Sequence, residues 1–383
     1  MPFLLFALAL LPRQAPAGFT LASNTVAHVQ PLSNAARAGL LPGDTIRHAN
    51  PRSLLRQPHG TQISLSLLRN SQPLSLTLHY LAPPPEQAPG ITIEYGELQT
   101  QNHRRRTLLT RPATQQPKAT VLWIAGSGCD SQENFPQSPL LHALSRAGYA
   151  TLRIEKTGVG DSEGPPCYSP AADLTQELRA YSDALATLPP GPVVLFGHSA
   201  GATILPLLLS QSPHIKAAIL AGGMGTPFLD YLLERRQVTH PADQALNRKC
   251  LEAVLIEQKS PNEIEAAHPD CRRRVRFDSP PALIAQFAKI IPSQAWQSAP
   301  QIPVLILHGT HDEVTSLRQS QLLQSHIANS RLQTLPMDHD LQQKGPPGKL
   351  HQGVPKAALR FLNQTTRGSS GKRPNTSPPS QTP

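Results

Sequence analysis

The chain has 383 residues, which exceeds the usual length of one domain and is enough for two domains, each with a buried core. Proline occurs 41 times, about twice its ordinary share, and aromatic residues make up only 4%, so turns and linkers should be abundant. The net charge is +10, but the densest basic runs, 104–106 and 272–274, contain no aromatic residues on which bases could stack, so no nucleic acid partner is expected. No internal run reaches the roughly 18 apolar residues of a transmembrane helix, and no transmembrane segment is expected either.

Residues 1–17 have the pattern of an export signal. An apolar stretch from Phe3 to Leu11 precedes Ala15-Pro16-Ala17, a small-x-small motif that predicts cleavage after Ala17. The basic residues that usually precede the apolar stretch are missing, and the alternative interpretation is an apolar strand or core segment. The sequence therefore predicts a periplasmic or secreted protein if this segment is a signal, and a cytoplasmic protein if it is not.

Residues 18–81 are predicted to form a small β-rich domain. A short helix from Ser33 to Ala38 ends at Gly39, a residue that commonly closes helices. Two later runs, 62–69 and 73–80, alternate apolar and polar residues and are joined by a turn, which is typical of a β-hairpin.

The stretch "SNAARAGLLPGDTIRHANP" in this region resembles PDZ domains. The resemblance implies that residues 18–21 correspond to the loop that binds a peptide carboxylate through backbone N–H groups. The segment 53–60 is very short for the second helix of a PDZ domain, and a peptide groove needs a strand and a helix on its two sides. Two roles therefore stay open for this domain, namely peptide capture and a structural or docking function.

The rest of the chain divides into a linker, a large domain and a tail. Residues 82–90, "APPPEQAPG", predict an extended, semi-rigid hinge. In residues 91–363, continuous apolar runs alternate with amphipathic helices, which indicates a mostly parallel sheet with helices on both faces. Residues 224–300 interrupt this alternation with charged, helical sequence and are predicted to form a cap insertion. Residues 364–383 have no apolar periodicity and are predicted to be a disordered tail.

The predicted elements of the large domain follow a regular order. Its predicted strands are 91–99, 107–111, 119–126, 149–156, 193–198, 215–222 and 303–309, and its helices outside the cap are 139–147, 171–188 and 200–210.

A candidate nucleophile lies between a predicted strand and a predicted helix, in Gly197-His198-Ser199-Ala200-Gly201. This is a G-x-S-x-G motif in the strand–turn–helix context that makes the motif specific. The flanking glycines are expected because side chains in so sharp a turn would collide with the strand or the helix. Without partners, the same motif could be a plain serine helix cap in a glycine turn.

The residues that would activate Ser199 follow it in the order acid, then histidine. Asp312 lies in the turn after the last apolar strand, and His339 lies in a loop after a further short strand. Glu313 is an alternative acid. Alternative bases are the histidines His308, His311 and His351.

An oxyanion hole is also predicted. One donor is the backbone N–H of Ala200, directly after the nucleophile. The second is the N–H of Ser127, in the loop "AGSGCDSQEN" that follows the first parallel strand. The alternative for this loop is an ordinary strand-to-helix turn.

Residues 91–363 resemble the α/β-hydrolase superfamily on the basis of three stretches, "GSGCDSQEN", "RIEKTGVGDSEGPPC" and "FGHSAG". The resemblance is to its branch of serine aminopeptidases and dienelactone-hydrolase-like enzymes. It implies hydrolysis of an ester, amide or thioester through an acyl-enzyme, with no metal and no organic cofactor. It also places Cys129 and Cys167 in two loops near the site, which favours pairing them and pairing Cys250 with Cys271. Four reduced thiols remain the alternative.

Three functions are compatible with these residues. The first is an exported, esterase-like serine hydrolase of small esters, amides or thioesters. The second is a serine peptidase or aminopeptidase whose PDZ-like domain presents short peptides to the site. The third is a non-catalytic scaffold with a PDZ-type reader on a hydrolase fold that has lost its activity; the presence of all three triad residue types argues against it.

Overall fold

The computed structural model describes residues 11–366 apart from 168, 170, 172, 240–242, 273, 276–280 and 346–348, and every structural statement below concerns this part of the chain. The apolar stretch of the predicted export signal up to residue 10 and the predicted tail beyond residue 366 lie outside it. Within the described residues, no helix is both long enough and apolar enough to cross a bilayer.

The N-terminal module consists of seven strands in two small sheets. Its strands are β1 (Gln14–Pro16), β2 (Phe19–Ala22), β3 (Thr25–Val29), β4 (Thr45–Ile46), β5 (Arg56–Pro58), β6 (Gln62–Arg69) and β7 (Gln72–His79). Strands β1 and β5 pair with each other, and the other five form a sheet in the order β2-β3-β4-β6-β7. The helix α1 (Asn34–Arg37) is capped by Ser33, whose side chain accepts a hydrogen bond from the N–H of Ala36.

The β-rich character expected from the sequence is therefore present, whereas the assignment to PDZ domains stays a prediction. Where a PDZ domain would have its second helix, this chain has a 3₁₀ turn, Pro51–Leu55, followed by β5. Such a turn is too short to form one wall of a peptide groove.

Residues 11–17 are part of this module, although they belong to the segment predicted as an export signal. Ala15 and Ala17 are completely buried, and β1 pairs with β5. The N–H of Gln14 also donates to Asp161 of the large domain, at 2.7 Å. Cleavage after Ala17 would remove a strand and two core residues, so the two interpretations of this segment have different structural consequences.

The linker 82–90 is not a free hinge, because its only acidic residue is anchored in the large domain. Glu86 is 3% exposed and accepts hydrogen bonds from the guanidinium of Arg153 at 2.8 Å and 3.0 Å. His142 lies 2.5 Å from the same carboxylate. Burial raises the pKa of Glu86, but the bonds from His142 and Arg153 outweigh that effect and bring the pKa down to about 2.

The large domain is built on an eight-stranded sheet in the order β15-β14-β13-β12-β10-β11-β9-β8. The pairs β8–β9 and β9–β11 are antiparallel, and all other neighbours are parallel. Its strands are β8 (Ile91–Gln99), β9 (Arg104–Pro112), β10 (Thr120–Ile124), β11 (Ala150–Ile154), β12 (Val193–His198), β13 (Ile215–Ala221), β14 (Val304–Gly309) and β15 (Ser330–Leu335). This arrangement confirms the predicted α/β-hydrolase fold, in which parallel strands are buried on both faces.

Helices cover both faces of the sheet. Those outside the cap are α2 (Ser138–Arg146), α3 (Leu174–Thr187), α4 (Ala200–Ile204), α10 (Leu317–His326) and α11 (Gly353–Thr365). The helix predicted over 200–210 changes to a 3₁₀ helix at Leu205–Gln211, because Pro206 has no N–H to continue the α-helical hydrogen bonds.

The interval between β13 and β14 is helical, as expected for a cap. Its helices are α5 (Phe228–Thr239), α6 (Gln244–Leu255), α7 (Pro261–Ala267), α8 (Pro281–Ala288) and α9 (Pro292–Gln297). Helices α5 to α8 share a separate apolar cluster that contains Cys250 and Cys271, and these two residues form a disulfide with a Cα–Cα distance of 5.5 Å. The cap therefore has its own small core, and a covalent bond joins α6 to the segment after α7.

Candidate active site

Ser199 occupies a strained turn between the central strand β12 and the helix α4. Its backbone angles are φ +54° and ψ −122°, a region that residues other than glycine rarely adopt. The glycines on either side have no room for a side chain. A Cβ on Gly201 would lie 2.1 Å from the carbonyl oxygen of Ile124, and one on Gly197 would lie 2.6 Å from the Cα of Ala202. The G-x-S-x-G spacing thus follows from close packing, and it holds Ser199 at the carboxyl edge of the sheet.

The structure brings together the three residues predicted for a triad. The Oγ of Ser199 lies 3.0 Å from Nε2 of His339, and Nδ1 of His339 lies 3.0 Å from Oδ2 of Asp312. Asp312 follows β14 and His339 follows β15, so both lie at the same edge of the sheet as Ser199. A histidine with a carboxylate on one nitrogen and a hydroxyl on the other can accept the hydroxyl proton.

The alternative acids and bases lie elsewhere or have other partners. His308 is buried and its Nδ1 contacts the hydroxyl of Ser320. His351 accepts a hydrogen bond from the N–H of Gly353. Glu313 and His311 are exposed.

Asp312 is held as a carboxylate by the turn that contains it. The N–H groups of Val314 and Thr315 donate to Oδ1, both at 2.8 Å, and the hydroxyl of Thr315 donates to Oδ2. Burial raises the pKa of Asp312, but the hydrogen bonds from His339 and Thr315 outweigh it, so the net pKa lies below the ordinary value. The acid therefore stays charged and can orient the imidazole of His339.

His198 is a residue whose contribution sequence reasoning missed. It is the first of the two variable positions of the G-x-S-x-G motif, is buried, and stacks on Trp123 with 5.9 Å between ring centroids. Its Nε2 lies 2.8 Å from the carbonyl oxygen of His339. Burial, followed by the nearby His339, lowers the pKa of His198, so the ring is neutral and Nε2–H donates to that carbonyl. No sequence pattern indicates this contact, because 141 positions separate the two residues.

Both residues predicted for an oxyanion hole lie beside Ser199. Ala200 is the first residue of α4, and Ser127 is in the loop after β10. The loop approaches closely, because a Cβ on Gly126 would lie 3.1 Å from the Cβ of Ser199. A disulfide ties this loop to the segment after β11, since Cys129 is bonded to Cys167 with a Cα–Cα distance of 5.8 Å.

Two cavities meet at Ser199. One, of about 280 Å³, extends beneath the cap and is lined mainly by apolar side chains, namely Met224, Phe228, Leu232, Leu283, Ile284 and Phe287. The other, of about 350 Å³, extends toward the loop after β10 and includes the carboxylates Asp130 and Asp340 beside the aromatic rings of Trp123 and Phe135. Among the described residues, no group of three or more His, Cys, Asp or Glu side chains is placed to hold a metal ion.

Comparison with known families identifies the large domain. The profile of the family described as serine aminopeptidase, S33, matches residues 115–339 and so includes the loop after β10, Ser199, the cap, Asp312 and His339. The chain belongs to this family. No curated protein matches the chain significantly.

Solved structures similar to this S33 family member share its fold. An esterase of Pyrococcus furiosus has a TM-score of 0.50 at 14% identity, covering 74% of this chain and 96% of the esterase. Est1E of Butyrivibrio proteoclasticus, solved with bound ferulic acid, has a TM-score of 0.50 at 18% identity, covering 70% of this chain and 98% of Est1E. A proline iminopeptidase of Mycobacterium smegmatis has a TM-score of 0.49 at 15% identity, covering 71% of this chain and 99% of that enzyme. The family match and the fold shared with the first two structures identify the large domain as an α/β-hydrolase.

Proposed function

We propose that this protein is a serine esterase that cleaves carboxylic esters through an acyl-enzyme on Ser199. The observation that carries the proposal is the continuous chain of short contacts from Ser199 through His339 to Asp312. In the proposed cycle, His339 takes the hydroxyl proton as Ser199 attacks the carbonyl carbon, and then protonates the leaving alcohol. A water molecule activated by the same imidazole releases the acid and regenerates Ser199.

The proposal assigns the developing negative charge to two backbone donors, the N–H groups of Ala200 and Ser127. Asp312 keeps the imidazole in the tautomer that accepts the serine proton, and its low pKa supports this role. The cycle needs no group beyond the side chains, the backbone amides and water.

The cavity beneath the cap supports a substrate with an apolar acyl or leaving group. Its apolar walls, including Phe228 and Phe287, suit an aliphatic or aromatic group of the substrate. At about 280 Å³ it is large enough for a medium-sized acyl group.

A peptidase is the second candidate, and one observation favours it. The cavity on the other side of Ser199 contains the carboxylates Asp130 and Asp340, which suit a cationic group such as a free amine. In this alternative the acyl-enzyme chemistry is unchanged, and the amide of an aminoacyl substrate replaces the ester.

The proposal can be tested with p-nitrophenyl esters of increasing acyl length beside aminoacyl p-nitroanilides. We expect ester hydrolysis that increases up to a medium acyl length, labelling by a fluorophosphonate probe, and loss of both in Ser199→Ala. Glu313→Gln serves as a control, since Glu313 is exposed beside Asp312 and should leave the rates unchanged. Faster cleavage of the anilides would favour the peptidase. Unlabelled, folded wild-type protein with no activity that depends on Ser199 would support the non-catalytic scaffold instead.

We also propose export to an oxidising compartment, supported by the two disulfides. The burial of Ala15 and Ala17 and the pairing of β1 with β5 support the retention of residues 14–17 in the folded protein. N-terminal sequencing of the exported protein tests this, because a mature chain that starts at Gly18 would contradict it.

For the N-terminal module we propose a docking role, supported by its missing groove helix and by three hydrogen bonds from Arg56 to carbonyls of the large domain.

A further inference from the structure

A lysine that has no part in the proposed reaction binds the backbone of the loop that contains Ser127. Lys156 follows β11, the strand beside β10, so its side chain lies next to the loop after β10. Its Nζ donates to the carbonyl oxygen of Gly126 at 2.6 Å and to that of Gly128 at 2.8 Å. One ammonium group therefore binds the two carbonyls on either side of Ser127.

This contact determines the direction of a backbone N–H. The carbonyl of Gly126 and the N–H of Ser127 belong to one trans peptide unit, in which the two groups point in opposite directions. With the carbonyl fixed on Lys156, the N–H of Ser127 points to the opposite side of the loop. The loop also lies against Ser199, because a Cβ on Gly126 would be only 3.1 Å from the Cβ of Ser199.

The contact with Lys156 is needed because the Gly126–Ser127 peptide unit could otherwise rotate easily. Glycine lies on both sides of Ser127, and glycine allows a peptide unit to turn over at little steric cost. Turning over the Gly126–Ser127 unit would replace an N–H donor by a carbonyl oxygen, which repels an oxyanion. Binding both carbonyls to one cation opposes that rotation.

The surroundings of Lys156 support a fixed position for its side chain. It lines a cavity of only about 40 Å³ together with Tyr181, Glu177 and Cys167. Burial lowers the pKa of Lys156, and the nearby Arg105 acts in the same direction, whereas the carboxylates Glu177 and Asp130 only partly oppose this shift. The hydroxyl of Tyr181 also accepts a hydrogen bond from the N–H of Ala125, at 3.1 Å, which fixes the start of the same loop.

We propose that Lys156 is a positioning residue of the oxyanion hole, which holds the carbonyls of Gly126 and Gly128 away from the site so that the N–H of Ser127 faces the substrate. The inference rests on the proposed function, because it assumes an oxyanion formed at Ser199.

The test compares Lys156→Met with two further variants. Methionine keeps much of the length and bulk of the side chain and removes the donors. Lys118→Met is the matched control, because the Nζ of Lys118 also donates to a backbone carbonyl, that of Ala147, at 2.8 Å. Lys118 lies just before β10, at the end of the sheet opposite to the candidate site. Lys156→Arg keeps N–H donors and measures rescue.

We expect Lys156→Met to lower kcat for p-nitrophenyl butyrate by about tenfold to a few hundredfold, below the limit of about 10²–10³ for complete loss of one oxyanion donor. KM should change by less than about twofold, since ground-state contacts remain. Affinity for a trifluoromethyl ketone, which forms an oxyanion on the serine, should fall by the same factor as kcat. Lys156→Arg should lose less than Lys156→Met, and Lys118→Met should behave as wild type.

Two results would overturn the inference. In one, Lys156→Met keeps wild-type kcat and ketone affinity. In the other, kcat, KM and Tm all worsen together, which would indicate a purely structural role. Hydrogen exchange of the peptide covering 120–135 separates this inference from the proposed function. If the wild type has no Ser199-dependent activity, the proposed function fails, and unchanged exchange in Lys156→Met would then show that Lys156 does not hold the loop either.

Discussion

Glu155, a buried carboxyl behind the oxyanion loop, makes stability depend on pH in a predictable direction. It is 1% exposed, and one oxygen accepts hydrogen bonds from Ser131 at 2.6 Å and from the N–H of Gln132 at 3.1 Å. The other oxygen, Oε2, is buried without a hydrogen-bond partner among the described residues. Burial raises the pKa of Glu155 from 4.5 to about 7, because the bonds from Ser131 and Gln132 only partly oppose it.

The effect on stability follows from proton binding. Between pH 4.5 and about 7 the folded protein keeps the proton on Glu155, whereas the unfolded chain releases it. The folded state therefore binds more protons in this window, and the free energy of unfolding falls as pH rises through it. The difference between the unfolded pKa of 4.5 and the folded pKa of about 7 corresponds to about 3 kcal/mol of stability. About 2–3 kcal/mol of this stability is lost between pH 5 and pH 8.

The variant Glu155→Gln removes this titration and leaves an oxygen to accept the bonds from Ser131 and Gln132. We expect its stability relative to wild type to rise by about 2–3 kcal/mol from pH 5 to pH 8. Unfolding in guanidinium chloride, followed by tryptophan fluorescence, measures this, because Trp123 donates to Gln132 beside the site of the change. Glu313→Gln, at an exposed position, is the control. Parallel pH profiles for Glu155→Gln and wild type would refute the reasoning.

Three further predictions concern the site and its support. Asp312→Asn should lower kcat by about three to four orders of magnitude while KM changes little, because the amide favours the wrong tautomer of His339; steady-state kinetics with an ester decide this, and a loss below tenfold would contradict it. His198→Phe keeps the stacking on Trp123 but removes the donor to the carbonyl of His339, so kcat should fall by about tenfold with Tm nearly unchanged; wild-type kcat would argue against a positioning role. Arg56→Met removes three charge-assisted hydrogen bonds to the large domain, so calorimetry should show destabilisation by about 2–4 kcal/mol; an unchanged Tm would mean that these bonds do not join the two parts.

The α/β-hydrolase fold could be predicted from the sequence because its signals are local. Continuous apolar strands such as 193–198 are buried on both sides, and alternation with amphipathic helices indicates a parallel sheet. The strand 91–99 begins and ends where it was predicted, whereas the helix over 171–188 begins at Leu174, next to its capping residue Asp173. Local patterns locate elements well and their ends less well, because ends depend on caps.

Much of the candidate site could also be predicted. Ser199 lies in a motif whose glycines are required by packing, and Asp312 follows an apolar strand and His339 a further short strand, in the order that the fold demands. The linker, by contrast, was predicted as a hinge from its prolines, and only the pairing of Glu86 with Arg153 shows that it is anchored.

By itself, the sequence determined the order of the elements, the place of the nucleophile and the residue types of its partners, since these depend on neighbours a few positions apart. Only the tertiary structure decided which groups hold that machinery in place. His198 reaches the carbonyl of His339 across 141 positions, and Lys156 reaches that of Gly126 across 30. Such contacts depend on the order of strands in the sheet and on the direction of single peptide units, and neither property leaves a periodic trace in the chain.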